Sequence, residues 1–167
     1  MVNPHQQDCG YPYKELCGAG VAWNVIRVLY ENYDMDKREA EDLLDFVAMA
    51  TVCDVMSLTG ENRILVKEGL KRIRHTKNIG LQALMQACNV QPENISAYHF
   101  GYVLGPCVNA TGRLDTARHA LRLFETGQET EAEEIARDLV DLNQERKELT
   151  LQGVEMAKKL CEEGGYE

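Results

Sequence analysis

The run Leu43-Leu44-Asp45-Phe46-Val47-Ala48-Met49-Ala50-Thr51-Val52-Cys53-Asp54-Val55-Met56-Ser57-Leu58-Thr59-Gly60-Glu61-Asn62-Arg63 organises the rest of this chain. From Leu43 to Cys53 only Asp45 and Thr51 interrupt an apolar stretch. Asp54 follows, flanked by Val52, Cys53, Val55 and Met56. Carboxylates are almost never fully buried unless they are paired or bind a metal. Asp54 therefore calls for a partner, and two readings are open. It caps a helix or accepts backbone hydrogen bonds, or it is a ligand to a divalent cation. The turn Thr59-Gly60-Glu61-Asn62 closes the stretch, and Glu61 or Asn62 can begin the next helix.

Upstream, Asp36 with Glu39 three residues on forms a capping-box-like pair, predicting one helix through about Val52. Lys14 to Tyr30 reads as a helix with Leu16, Val21, Val25, Val28 and Leu29 along a broad apolar face. Met1 to Tyr13, with Pro4, Gly10 and Pro12, reads as an irregular lead-in with a strand at Val2-Asn3. Gly18-Ala19-Gly20 is not a dinucleotide fingerprint, because Trp23 stands where the third glycine is needed. Downstream, Asn62 to Arg74 is expected to turn Ile64, Leu65, Leu70 and Ile73 inward. A short helix Leu81 to Cys88 and an aromatic-rich segment Pro92 to Val103 follow. Gly105 to Arg113, with two glycines and a proline, reads as a loop of the kind on which sites are built. Asp115 or Thr116 reopens a helix with Ala117, Ala120, Leu121 and Phe124 inward.

Thr130 to Glu163 carries one continuous helical pattern, with Ile135, Leu142, Leu149 and Met156 seven residues apart. Leu139 and Leu160 supply part of a second stripe, which Arg146 and Gly153 interrupt. At 1.5 Å per residue such a helix is about 45 Å long. A rod of that length is expected to stand clear of a compact body, as a connector between domains or half of a helical homodimer through 130–163. The reading is thus a mainly α chain with a body over residues 1–128 and a long helix over 129–167.

With 167 residues, 44% hydrophobic and 27% charged, the chain has the profile of a globular protein with room for one core. No stretch approaches the roughly 18 apolar residues needed to cross a bilayer, so no membrane partner is expected. MVNPHQQDCG offers neither a basic start nor an apolar segment, so no signal peptide is expected. The six cysteines include no Cys-x-x-Cys pair, which leaves zinc and redox motifs unsupported and suits a reduced, cytoplasmic setting. A net charge of -9 argues against sequence-blind phosphate binding by the whole surface. The charge is uneven, however. Arg63, Lys67, Lys71, Arg72, Arg74 and Lys77 face Glu68 alone between residues 63 and 77, a local basic face for a polyanion or simply a solvated helix side.

Asn109-Ala110-Thr111 is formally a glycosylation sequon, a chance match in a cytoplasmic chain. No histidine is placed by sequence to activate Cys107, and His75, His99 and His119 lack metal-ligand spacing. Arg113 is more informative. A guanidinium on a glycine-bearing segment suits bidentate phosphate recognition, and Asn109 can bond the same oxygens. Arg113 could equally cap a helix or pair with Asp115.

Taken in order, these stretches resemble the RecJ-type single-strand-specific exonucleases of the DHH phosphoesterase superfamily. Cys9-Gly10-Tyr11-Pro12-Tyr13-Lys14 with Leu16-Cys17-Gly18-Ala19-Gly20-Val21-Ala22 resembles the segment just after that family's Asp-His-His triad. Thr51-Val52-Cys53-Asp54-Val55-Met56-Ser57-Leu58 with Gly60-Glu61-Asn62-Arg63 resembles its next aspartate motif. Asn109-Ala110-Thr111-Gly112-Arg113-Leu114 resembles its later Asn-Ala-x-Gly-Arg motif, and Asn143-x-x-Arg146 the start of its long inter-domain helix. Cys107 stands where the family usually has arginine, Asn24 where it has lysine and Ser57 where it has proline. The first departure weakens the inferred phosphate contacts, and the last is expected to loosen the exit from the aspartate motif.

The resemblance implies the C-terminal part of an α/β DHH domain ending in a connector helix. It implies 5′ to 3′ hydrolysis of single-stranded DNA, in repair and recombination, with Mn²⁺ or Mg²⁺ as cofactor. Asp54 would be a catalytic metal ligand, and Asn109 and Arg113 would hold the phosphate of the strand end. The basic helix from Arg63 to Lys77 would guide the strand. The triad would lie before Met1 and a nucleic-acid-binding domain after Glu167, so the chain alone is expected to hydrolyse nothing. Two alternatives stay open: a related DHH phosphodiesterase of short oligonucleotides or cyclic dinucleotides, and a non-catalytic, self-associating helical module.

Overall fold

The computed structural model describes residues 2–114 and 117–164, with the backbone alone at 113 and 114. The α-helices are α1 (Gly18–Asn32), α2 (Lys37–Asp42), α3 (Leu44–Cys53), α4 (Gly60–Arg72), α5 (Ile79–Ala87), α6 (Ala97–His99), α7 (Gly105–Leu114), α8 (Ala117–Glu125) and α9 (Glu129–Gly164). A π-helical turn, Phe100–Leu104, joins α6 to α7. No strand forms among the described residues, so the one expected at Val2-Asn3 is absent.

α3 is the axis of the fold. Leu44, Val47, Ala48 and Met49 are buried on it, and so are Asp45 and Thr51. A helix buried on nearly every side needs neighbours on every side, and α1, α4 and the Phe100–Leu104 turn supply them. α4 comes closest. A Cβ at Gly69 would collide with Ala48 and with the Leu44 carbonyl. Behind this pair, α5, α7, α8 and α9 close the main core around Leu81, Leu84, Phe100, Leu104, Leu123 and Leu139. The ring of Phe46 meets Phe124 edge-on at 5.2 Å, tying α3 to α8.

Five expectations need correction. The helix capped by Asp36 stops at Asp42, and α3 starts afresh at Leu44. Asp36 does accept from the Arg38 N–H, but Glu39 accepts from Tyr30 instead of completing a box. Ile64 is exposed, because the buried stripe of α4 runs Asn62, Leu65, Val66, Gly69 and continues to Ile73. Two of those positions, an asparagine and a glycine, carry no hydrophobic signal. On α8 it is Leu123, not Leu121, that points inward beside Ala120. Residues 105–113 are helix rather than loop: α7 continues from the π-helical turn Phe100–Leu104, where the Gly105 N–H bonds the Phe100 carbonyl, and Pro106 follows directly after this wider turn. The expected helix start at Asp115 or Thr116 lies outside the described residues.

α9 does not stand clear along its whole length. Ala132, Ile135, Ala136, Leu139 and Asn143 are buried in the body, whereas Leu149, Met156 and Leu160 are exposed on the far half. Through Gly164 that far half is exposed at every described position from Lys147. No described helix is long and apolar enough to cross a membrane.

Candidate functional site

The two carboxylates of the organising stretch exchange the roles that hydropathy suggests. Asp45 is buried, 3% exposed. Its Oδ2 accepts from the Thr76 hydroxyl at 2.7 Å and its Oδ1 from the Phe46 N–H at 2.7 Å. Burial pushes its carboxyl above the usual range, with Asp42 adding to the effect and the two hydrogen bonds opposing it. Since the folded-state value lies above the unfolded one, Asp45 contributes stability below the unfolded pKa. That contribution is lost as pH rises through the folded value. Asp45→Asn removes the charge, keeps an acceptor oxygen for the Phe46 N–H and turns the second contact round, its amide donating to the Thr76 hydroxyl, so the wild type should lose stability relative to this variant as pH rises from 3 to 7. Urea titrations across that range check it, and parallel curves would refute it.

Asp54 is exposed and makes no side-chain hydrogen bond among the described residues. It is the C-cap of α3. The Met56 N–H bonds the Thr51 carbonyl at 3.1 Å and the Val55 N–H the Val52 carbonyl at 3.1 Å, the Schellman pattern that ends helices. The position after the cap in that pattern is left-handed and favours glycine; here it is Val55, at φ 57° and 88% exposed. Among the described residues the other non-glycine positions with positive φ are Asp34 and Asn89, types that tolerate it. A β-branched residue there costs on the order of 1–3 kcal/mol. A carboxylate at the negative end of a helix costs roughly 0.3–1 kcal/mol more. Val55→Gly should therefore raise stability by about 1 kcal/mol in urea unfolding, and an unchanged midpoint would remove the strain.

The segment after Asp54 is not loosened by serine at position 57. The Asn62 side chain, fully buried, donates to the Ser57 carbonyl at 3.0 Å and to the Glu15 carbonyl at 2.6 Å. The Tyr13 hydroxyl donates to the Thr59 carbonyl at 2.8 Å. This clamp fixes where α3 ends relative to α1 and α4.

The end of α3 also adjoins α7. The Cys53 thiol donates to the Phe100 carbonyl at 3.5 Å and lies where a Cβ at Gly105 would go. Burial, with the Asp54 charge beside it, pushes this thiol up to about 11. Asn109 is exposed one turn into α7. Position 113 shares its helix face by backbone register, and the side chain of Arg113 lies outside the described residues. Cys107 faces the other way, 3% exposed, with Asn143 Nδ2 donating to its Sγ at 3.5 Å. Asn143 Oδ1 accepts from Arg146 at 3.1 Å. The pair Asn143 and Arg146 thus braces α9 on α7.

The basic face divides. Lys71 pairs with Glu68 at 2.6 Å, and Arg72 with Glu41 and, at 3.3 Å, Asp42. Arg63, Lys67 and Arg74 make no ion pair among the described residues. They line one open groove of about 410 Å³ with Leu58, Val66 and Leu70 as its apolar floor. No cluster of three or more metal-ligating side chains exists among the described residues. Asp54 by itself does not fit a divalent cation, which takes six or more oxygens.

No family model matches the chain. It is 38% identical over 173 aligned residues to the single-stranded-DNA-specific exonuclease RecJ of Dickeya dadantii, covering 98% of this chain and 30% of that protein. It also superimposes on Thermus thermophilus RecJ in complex with Mg²⁺, with a TM-score of 0.77 and 34% identity over 89% of this chain and 23% of the other. The complex with Mn²⁺ gives 0.78 and 34% over 93% and 22%. Over nearly its whole length the chain is similar to a segment of RecJ. Its helices match part of the RecJ DHH domain, and the long C-terminal helix is present. The RecJ-type chain spans about 30% of the length of the curated relative it matches. The strain at Val55 and the contacts made by Asn62, Asn143 and Arg146 were not readable in sequence, although the last three residues fall in stretches that carry the resemblance. Only a valine following the cap could have hinted at the first.

Proposed function

We propose that this chain is the part of a metal-dependent, single-strand-specific DNA exonuclease in which Asp54 supplies one catalytic ligand. The cation would be Mn²⁺ or Mg²⁺, and its other ligands are not among the described residues. The observation that carries this reading is the end of α3. An exposed carboxylate sits at the unfavourable pole of a helix, followed by a valine held in a left-handed conformation. Both features lower stability and neither supports packing, the pattern of residues retained for a site.

Asn109 and Arg113 hold the phosphate of the strand end, one turn apart on α7. Arg63, Lys67 and Arg74 guide the strand, since they line one groove, with Lys71, and make no ion pair among the described residues. The first 128 residues belong to the catalytic domain, and the far half of α9 connects to a second, nucleic-acid-binding domain. The exposed apolar face of α1, with Val25, Val28 and Leu29, suits a chain whose relatives are much longer. A reducing, cytoplasmic setting fits six cysteines that are all free.

The isolated chain should hydrolyse nothing and bind Mn²⁺ no better than a generic acidic surface. Calorimetric titration checks this, and tight stoichiometric binding would overturn the one-ligand assignment. The full-length enzyme should degrade long single strands. Hydrolysis confined to short oligonucleotides or cyclic dinucleotides would instead mark the related phosphodiesterase. A second reading rests on Leu149, Met156 and Leu160, exposed along one side of α9. They suit self-association of this helix into a homodimer, and light scattering that returns a monomer would exclude it.

A further inference from the structure

The end of α5 and the start of α7 bring two thiols together. Cys88 Sγ and Cys107 Sγ lie 3.8 Å apart, against about 2.05 Å in a disulfide. We propose that Cys88 and Cys107 form a dithiol modification site, which small organic disulfides oxidise to an intramolecular bond joining α5 to α7. This inference stands apart from the exonuclease reading and survives its failure.

The two sulfurs divide the work by exposure and by environment. Cys88, the C-cap of α5, is half-buried and within reach of solvent; Cys107 is enclosed. The Cys107 thiol has the Val103 carbonyl as an acceptor at 3.3 Å and shares a hydrogen bond with Cys88; with Cys88 as the donor, that bond holds the Cys107 pKa below the usual thiol range although burial opposes it. The Asn143 amide and the Lys147 and Arg146 cations act in the same direction. Cys88 is pushed up, first by donating to Cys107 and then by burial. The thiolate is the attacking species in disulfide exchange, so the enclosed sulfur is poised to resolve an adduct formed on the accessible one.

The steps balance. Cys88 Sγ attacks one sulfur of a disulfide RSSR; the S–S bond breaks, a mixed disulfide forms on Cys88, and the first RS⁻ takes the Cys88 proton. Cys107 Sγ then attacks Cys88 Sγ and expels the second RS⁻, which takes the Cys107 proton. Two protein thiols are oxidised and one RSSR is reduced to two RSH.

The other cysteines lack this arrangement. Cys17 shares a hydrogen bond with the Thr51 hydroxyl at 3.4 Å and Cys53 donates to the Phe100 carbonyl. Cys161 is exposed on the far half of α9. Closing the Cys88–Cys107 pair would tether the helix that carries Asn109 to the body.

The test is incubation of the folded chain with oxidised glutathione, followed by alkylation of remaining thiols and peptide mapping without reduction. Cys88 and Cys107 should be recovered as one cross-linked species that dithiothreitol cleaves, while Cys161 ends as a glutathione adduct. Cys107→Ser should stop at glutathione on Cys88, and Cys88→Ser should leave Cys107 unmodified. The proposal fails if both thiols of the wild type alkylate after Cys161 is fully converted. It fails equally if Cys88 ends as a stable mixed disulfide. Both of these outcomes are read on the wild type, so neither depends on a variant folding.

Discussion

Asp54→Ala, introduced into a full-length RecJ-type enzyme containing this chain, should lower hydrolysis of single-stranded DNA by about three orders of magnitude. That corresponds to about 4 kcal/mol of lost transition-state stabilisation, the scale on which a ligand to a catalytic cation acts. Folding should change by no more than about 0.5 kcal/mol, because the side chain is exposed and hydrogen-bonds to nothing among the described residues. Removing a negative charge from the end of α3 should, if anything, help. The measurement is release of nucleotides from labelled strands at saturating Mn²⁺, beside a urea unfolding curve. Retained activity would take Asp54 out of the site, and loss of activity with loss of fold would make it structural.

Gly80→Ala should be the most damaging single methyl in the body. A Cβ at position 80 would run into the carbonyl of Leu123, where α5 and α8 cross. The obstacle is backbone, so no rotamer change relieves it, and one of the two helices must move. We expect a loss of about 3 kcal/mol, at the upper end for overpacking, read as a lower urea midpoint. Gly153→Ala is the control of opposite sign. Nothing lies within 4 Å of a Cβ there, so on α9 the same change should stabilise by about 0.5–1 kcal/mol. Equal effects at the two positions would mean that helix propensity, not the crossing, governs residue 80.

The thiol pair and the end of α3 meet on one helix. α7 touches α3 through Gly105, carries Cys107 on its buried side and Asn109 on its exposed side. A helix of ten residues therefore joins the packing core, the thiol pair and the exposed position of Asn109.

Local chemistry was legible along the chain. The apolar run of α3, the Asp36 cap and the long pattern of α9 follow from residue type and spacing, and the ordered motifs around Asp54, Asn109 and Arg113 were legible as a family resemblance. Such features depend on neighbours within a turn or two. What tertiary structure alone decided is which of two similar carboxylates is enclosed, since Asp45 is buried by Thr76 and α4 while Asp54 faces outward. It also decided that Gly105 to Arg113 continues as helix, because packing against Cys53 outweighs two glycines and a proline. The thiols at 88 and 107, nineteen residues apart, meet for the same reason: contacts between distant segments are set by how the helices close around one core, and no local period encodes them.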